Sequence, residues 1–184
     1  MMIEAEIKLP LDSDSGMAEK LIEAGFEKRG RVRETDIYFN GIDRDFRKSD
    51  EALRIRRVEG MSDEVYTLTY KGPKLDNISM SREETEIQFS DFDAMQKILV
   101  SLGFQPVFPV VKEREYYDGK DMTACLDYVN GLGWFLELEV MADGETEYEN
   151  ALALLRKQVE VLGYKMEDTT RTSYLSMLED KTKR

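Results

Sequence analysis

Polar and apolar residues alternate in three stretches of the chain: Glu4-Ala5-Glu6-Ile7-Lys8-Leu9, Glu84-Thr85-Glu86-Ile87-Gln88-Phe89 and Glu137-Leu138-Glu139-Val140-Met141-Ala142. A period of two is that of a β-strand, so the paired glutamates of each stretch share one face and the apolar residues take the other. Each stretch runs into a segment of helical spacing that closes on a glycine-aromatic pair, Gly25-Phe26, Gly103-Phe104 or Gly163-Tyr164. The first predicted helix has Ser13, Asp14 or Ser15 as cap, Met17, Leu21 and Ile22 as apolar face and Gly25 as stop. The second is capped by Ser90 or Asp91, packs Met95, Ile98, Leu99 and Leu102, and ends at Gly103. A third fits Ala151 to Leu162, with Leu154, Leu155, Val159 and Leu162 at helical spacing, and a short fourth carries Tyr174, Leu175 and Leu178. Residues 181–184 read as a frayed tail.

Besides the strand at 2–9, the period-two pattern predicts strands near 31–39, 52–58, 64–72, 81–89, 107–117, 122–129 and 134–141. Eight strands interrupted by helices suit an α+β fold, a largely antiparallel sheet or barrel with helices on its outside. The 184 residues suffice for one core, and 1–184 is read as a single domain. Loops fall at 40–50 and 59–63. The segment 73–79 is read either as a mobile lid or as an ordinary surface loop.

The strand phases sort the charges. Ile3, Ala5, Ile7 and Leu9 oppose Glu4, Glu6 and Lys8; Leu53 and Ile55 oppose Arg54 and Arg56; Tyr66, Leu68 and Tyr70 oppose Thr67, Thr69 and Lys71. Ile87 and Phe89 oppose Arg82, Glu84 and Glu86, and Leu136, Leu138 and Val140 oppose Glu137 and Glu139. In 107–117 both faces are charged, Lys112 and Arg114 on one and Glu113 and Glu115 on the other. Helices need an apolar sheet face to cover, so the charged phase is the face they leave bare; if the sheet curls, it points inward.

Acidic residues outnumber basic ones, 38 to 26, which argues against duplex nucleic acid or an anionic membrane as a partner. No apolar run is long enough for a membrane span or signal peptide, and the expected location is cytoplasmic. The chain has no histidine, which removes Ser-His and Cys-His nucleophile pairs and imidazole metal ligands together. Its one cysteine, Cys125, is read as a packing residue, and disulfides and thiolate zinc sites are excluded. Any metal must be held by hard oxygen donors, which favours Mg²⁺ or Mn²⁺.

Desolvating an ion costs several kcal/mol, so enclosing both signs of charge for ion pairing alone is a poor exchange. A wet cavity for a charged ligand accounts for them better. The cations suit a polyanion and the carboxylates repel one, a conflict that a divalent metal between them resolves. A linear triphosphate is the simplest such guest, since guanidinium forks match phosphate oxygens. The chain has neither a Gly-x-x-x-x-Gly-Lys-Ser/Thr loop nor a Gly-x-Gly-x-x-Gly, so side chains must do the gripping.

Glu4-x-Glu6-x-Lys8 resembles the signature of the CYTH, or triphosphate tunnel metalloenzyme, superfamily, and the later motifs follow in the family's order. They are Arg54-x-Arg56, Lys71, Arg82-x-Glu84-x-Glu86, Lys112-x-Arg114, Asp127 and Glu137-x-Glu139. The resemblance spans essentially the whole chain. The run from Leu126 to Glu139, with Leu132-Gly133-Trp134-Phe135 before the glutamates, is most similar to the class IV adenylyl cyclase branch.

This resemblance implies a closed eight-stranded antiparallel tunnel. It implies that Glu4, Glu6, Asp127, Glu137 and Glu139 hold Mg²⁺ or Mn²⁺, with Glu84 and Glu86 as outer or alternative ligands. Lys8, Arg54, Arg56, Lys71, Arg82, Lys112 and Arg114 would clamp the triphosphate, and Glu6, Glu137, Lys71 and Arg114 would carry the catalysis. The expected activity is conversion of ATP to cyclic AMP and pyrophosphate. The alternatives are hydrolysis of inorganic, thiamine or nucleoside triphosphate, or a non-catalytic phosphate-binding module. Some family members contact phosphate from a C-terminal helix, a role for which Arg171 is the candidate here, and the resemblance suggests a homodimer.

Overall fold

A computed structural model describes residues 2–14, 16–60 and 63–183. Eight strands, β1 (Met2–Leu11), β2 (Glu27–Asn40), β3 (Ala52–Glu59), β4 (Val65–Lys74), β5 (Arg82–Phe89), β6 (Gln105–Asp118), β7 (Thr123–Val129) and β8 (Gly133–Asp143), close into one antiparallel barrel in the order β1-β5-β4-β3-β2-β6-β7-β8. Among the described residues four α-helices accompany them: α1 (Met17–Glu23), α2 (Phe92–Ser101), α3 (Glu145–Val161) and α4 (Tyr174–Thr182). Closure removes the exposed edges that an open sheet of this length would present.

The barrel is not uniformly zipped. β1 pairs with β8 from Met2↔Asp143 to Leu11↔Trp134, but with β5 only at Ile3↔Glu83 and Glu4↔Arg82. Beyond Glu4 the β1 backbone is satisfied by other segments: Met80 donates to the Glu6 carbonyl at 2.9 Å, Glu6 donates to Ser81 Oγ at 3.1 Å, and Thr170 donates to the Lys8 carbonyl at 2.8 Å.

The expected phases hold. Ala5, Ile7, Leu9, Leu126, Leu136 and Leu138 face outward and form the main core with Leu21 of α1 and Leu155 and Val159 of α3. Phe39 and Ile55 pack under Phe92 and Leu99 of α2. The fourth helix packs differently. Its Tyr174 and Leu178 meet Val110, Val129 and Phe135, which share the phase of Lys112, Asp127 and Glu137, so α4 stoppers one end of the barrel. The outward charges of β6 pair with β2, Glu113 with Arg31 and Arg33, and Glu115 with Lys28, at the solvated surface.

The glycine-aromatic closers follow from helix termination. Gly25, Gly103 and Gly163 adopt φ of 91°, 97° and 87°, and the next amide donates back into the last turn: Phe26 to Leu21, Phe104 to Leu99 and Tyr164 to Val159, each at 3.0 Å. This is the Schellman arrangement, in which a left-handed residue lets two amides satisfy the terminal carbonyls.

Several helix expectations are corrected. Asp91 caps α2 through Ala94, but the N-cap of α1 is Gly16, which has no side chain to cap it; Ser15 lies outside the described residues. Ile22, Ile98, Leu102 and Leu154 are exposed, because short helices on a convex barrel touch it along a narrow stripe. α3 begins at Glu145, six residues before the expected start, where acidic residues suit the N-terminal dipole but give no apolar signal. Lys181 is not frayed: it lies in α4 and donates to the Gly131 carbonyl, in the β7–β8 turn, at 2.7 Å. Among the described residues no helix is long and apolar enough to cross a membrane.

Candidate functional site

A cavity of about 380 Å³ runs inside the barrel. Every charged residue singled out by the strand motifs lines it except Asp127, which is fully buried in the wall behind. The strands bring them together by register: Glu6 stands opposite Glu139, Lys8 opposite Glu137, Lys71 opposite Glu84, and Arg114 opposite Asp127.

The basic side chains are oriented from behind by acids below the cavity surface. Arg114 donates to both oxygens of Asp127 at 2.7 Å, and it also contacts Glu137. Arg56 donates to both oxygens of Asp36 at 2.6 and 2.8 Å and lies 2.9 Å from Glu34, which also meets Lys112 at 3.1 Å. Glu34 and Asp36 are 0 % and 1 % exposed. Burial alone would raise their proton affinity, but Arg56 and the neighbouring cations hold Glu34 well below, and Asp36 below, the ordinary carboxylate range. They are site residues that the sequence motifs did not single out. Glu34-x-Asp36 carries the same alternating signal, masked by Arg31 and Arg33 in the opposite phase.

A second set of carboxylates is crowded together, its cation contacts long: Glu4 lies 3.6 Å from Lys71, Glu6 3.7 Å from Lys8 and Glu139 3.6 Å from Arg114. Burial, with like charges after it, raises the proton affinity of Glu6; burial and the charges of Glu4, Glu137 and Glu6 raise that of Glu139 well above its ordinary value. Glu4 is also raised, chiefly by burial, against the pull of Lys71. Glu137 is the exception: although buried, it is held low by Lys8 at 3.1 Å and by Arg114. Among the described residues no three acidic or cysteine side chains already converge as a cage. The donor set still fits a hard divalent cation, since it is all carboxylate oxygen and its crowding is what a positive ion between Glu4, Glu6 and Glu139 would relieve.

The remaining positions differ in how committed they are. Arg54 is 7 % exposed, its Nε has no hydrogen-bond partner, and its nearest contacts are long, 3.4 Å to Thr69 and 3.6 Å to Asp36. Lys71 bridges Glu84 and Glu4. Glu86 is exposed and accepts from Thr69 at 2.7 Å. Cys125 shares the inward phase, fully buried, its thiol 3.8 Å from Glu139 and pushed well up by burial, so it is no thiolate nucleophile.

The C-terminal segment closes the site. Tyr174 donates to Asp127 at 3.0 Å, and its ring lies 4.1 Å from the Lys8 ammonium and 4.9 Å from Phe135. Arg171 donates to the carbonyls of Ser79 at 2.9 Å and Asp76 at 2.5 Å. Asp76 in turn accepts from Ile78, Ser79 and Tyr148, so the segment read as a lid or an ordinary loop is fastened at both its backbone and its side chains.

Comparison with known proteins agrees with this geometry. The CYTH domain family model matches residues 2–174. A Methanocaldococcus jannaschii protein provisionally named an adenylate cyclase is 43% identical over 176 residues, covering 96% of this chain and 98% of that one. Adenylate cyclase CyaB of Aeromonas hydrophila is 24% identical over 147 residues, 80% of this chain and 73% of its own. A solved structure from Pyrococcus horikoshii OT3 superposes with a TM-score of 0.89 at 39% identity, covering 97% of this chain and 99% of the other. With tunnel, charge pattern and these likenesses in agreement, the chain belongs to the CYTH domain family.

Proposed function

We propose that this protein is a divalent-metal-dependent enzyme acting on a linear triphosphate, converting ATP to cyclic AMP and pyrophosphate. The observation that carries the reading is the division of the lumen into two sets: cations fixed from behind by Glu34, Asp36 and Asp127, and carboxylates left crowded at Glu4, Glu6 and Glu139. Arg54 supports it, being a buried guanidinium with an unpartnered Nε on a polar cavity.

Glu4, Glu6, Glu137 and Glu139 would hold Mg²⁺ or Mn²⁺, with Glu84 and Glu86 further out. When bound, the ion supplies positive charge between these acids and the phosphates and polarises the oxygens it contacts. Asp127 is assigned to orienting Arg114 and Tyr174, since both its oxygens are engaged there. Lys8, Arg54, Arg56, Lys112 and Arg114 align the phosphate chain, and Lys71 and Arg114 neutralise the charge that gathers on pyrophosphate as it leaves. The ribose 3′ oxygen forms its bond to the α-phosphorus as the bond from that phosphorus to the oxygen bridging to the β-phosphate breaks; the hydroxyl proton passes to water in the lumen and the electron pair leaves with pyrophosphate. Positioning and charge stabilisation carry such a transfer, and no histidine base is required.

A second reading, hydrolysis of a triphosphate in the same tunnel, is favoured by the lining itself: charged residues dominate it, and a base would meet only a few aromatic, aliphatic and hydroxyl side chains such as Tyr38, Phe46, Tyr116 and Ser173. Incubation with ATP, tripolyphosphate and thiamine triphosphate plus Mg²⁺ or Mn²⁺, with chromatographic separation, distinguishes them. Cyclic AMP is the expected product; orthophosphate alone assigns hydrolysis, and binding without product assigns a binding module.

A further inference from the structure

Simple alternation along β4 places Lys71 on the lumen face and Lys74 on the outer face. The structure departs from it, because Lys71 pairs with Glu84 and Lys74 with Arg82, three residues on one strand against two on the other. A bulge of this kind re-aims the side chain beyond it, and Lys74 lines the same cavity as Lys71. No motif marks this lysine, since its inward aim depends on the bulge at Gly72 and Pro73.

Its partner is Asp50. The Lys74 ammonium lies 2.6 Å from Asp50 Oδ1, and its backbone amide donates to Oδ2 at 3.0 Å. Arg82 donates to the same Oδ1 at 3.1 Å and to the Asp50 carbonyl at 2.7 Å. Among the described residues Asp50 is the one non-glycine residue at positive φ, 56°, a conformation that surrounding contacts must hold in place. Its side chain is 42% exposed, unlike the acids at the barrel centre, and it too lines the cavity.

The charge balance at this end differs from the centre. Arg171 also lines the cavity, and its guanidinium is spent on carbonyls, which do not neutralise it. Lys74 and Arg82 thus share the one half-exposed carboxylate of Asp50, while Arg56 and Arg114 each meet two buried acids. A carboxylate gripped through both oxygens by a lysine and an arginine has the charge and shape of one edge of a phosphoryl group.

We infer that Lys74 is a further substrate-binding residue and that Asp50 is a placeholder on Lys74 and Arg82, displaced by an anionic oxygen of the bound phosphate chain. The inference rests on the triphosphate reading above. The pocket end formed by loop 41–51 and the 74–81 segment then grips the chain only after Asp50 has released it, which makes Asp50 a built-in competitor.

The test is isothermal titration of the full chain with tripolyphosphate in Mg²⁺ buffer, comparing wild type with Lys74→Met, Asp50→Asn and Arg54→Met. Asparagine tolerates the left-handed backbone, so Asp50→Asn removes charge while keeping the turn. Lys74→Met is expected to raise Kd about tenfold, the worth of one charge-assisted contact, and Asp50→Asn to lower it several-fold. Unchanged affinity in Lys74→Met, with binding lost in Arg54→Met, overturns this inference and leaves the triphosphate reading standing. Unchanged or weaker binding in Asp50→Asn makes Asp50 a brace and overturns the placeholder. No uptake by wild type sinks the triphosphate reading itself.

Discussion

Asp36 on β2 and Arg56 on β3 stand directly opposite each other, and the guanidinium donates to both carboxylate oxygens at 2.6 and 2.8 Å. This pair shows how the barrel keeps an arginine aimed at its own interior. The acid lies in the wall and the cation lines the cavity.

Removing one member should cost more than removing both. Asp36→Asn removes the bidentate partner and leaves Arg56 with Glu34 as its acidic contact, and a loss of about 1–3 kcal/mol is expected. The double variant Asp36→Asn, Arg56→Met should recover part of it. Urea unfolding of Asp36→Asn, Arg56→Met and the double variant measures this, and additive losses would contradict the coupling.

Glu34 and Asp36 also fix a pH dependence. Both titrate lower in the folded state than the usual 4.5 and 3.8, so they contribute stability that is present above those values. It is lost as pH falls through their depressed folded values. Thermal melts between pH 6 and pH 2 should show a steep acid limb, and Glu34→Gln should flatten it. An equally steep limb in the variant would show that other groups control acid unfolding.

Glu6→Gln and Glu137→Gln are expected to reduce metal-dependent turnover by more than about 100-fold, beyond the usual effect of residues that merely support a ligand. Circular dichroism should remain that of the barrel. Normal rates in both variants would remove these residues from the site.

Arg171 fastens residues 76–79 by two hydrogen bonds to carbonyls. Arg171→Gln should therefore raise amide exchange in 75–81 by about tenfold or more, while β6 to β8 keep their protection. Because Met80 and Ser81 bond the Glu6 backbone, a fall in kcat is expected to accompany the loosening. Unchanged exchange would show that Asp76 and Tyr148 hold the loop unaided.

Much of this architecture was legible in the alternation of charge. Glu4, Glu6, Arg54, Arg56, Glu137 and Glu139 each sit in a clean period-two strand, so their common face follows from local geometry. Glu34 and Asp36 escaped because β2 carries charge in both phases, and only closure decides which is inside. Lys74 escaped because a bulge reverses its face, a register property that one strand's sequence does not contain. Tyr174 read as an ordinary helix anchor, because its hydroxyl's partner, Asp127, lies 47 residues away.

Whether the lumen joins opposite charges through a divalent ion and a polyphosphate is tested most directly by calorimetric titration with tripolyphosphate, with and without Mn²⁺. Uptake near one equivalent with the metal, and at least about tenfold weaker uptake after chelation, is the predicted result. Equal affinity in both buffers, or no uptake in either, would contradict it.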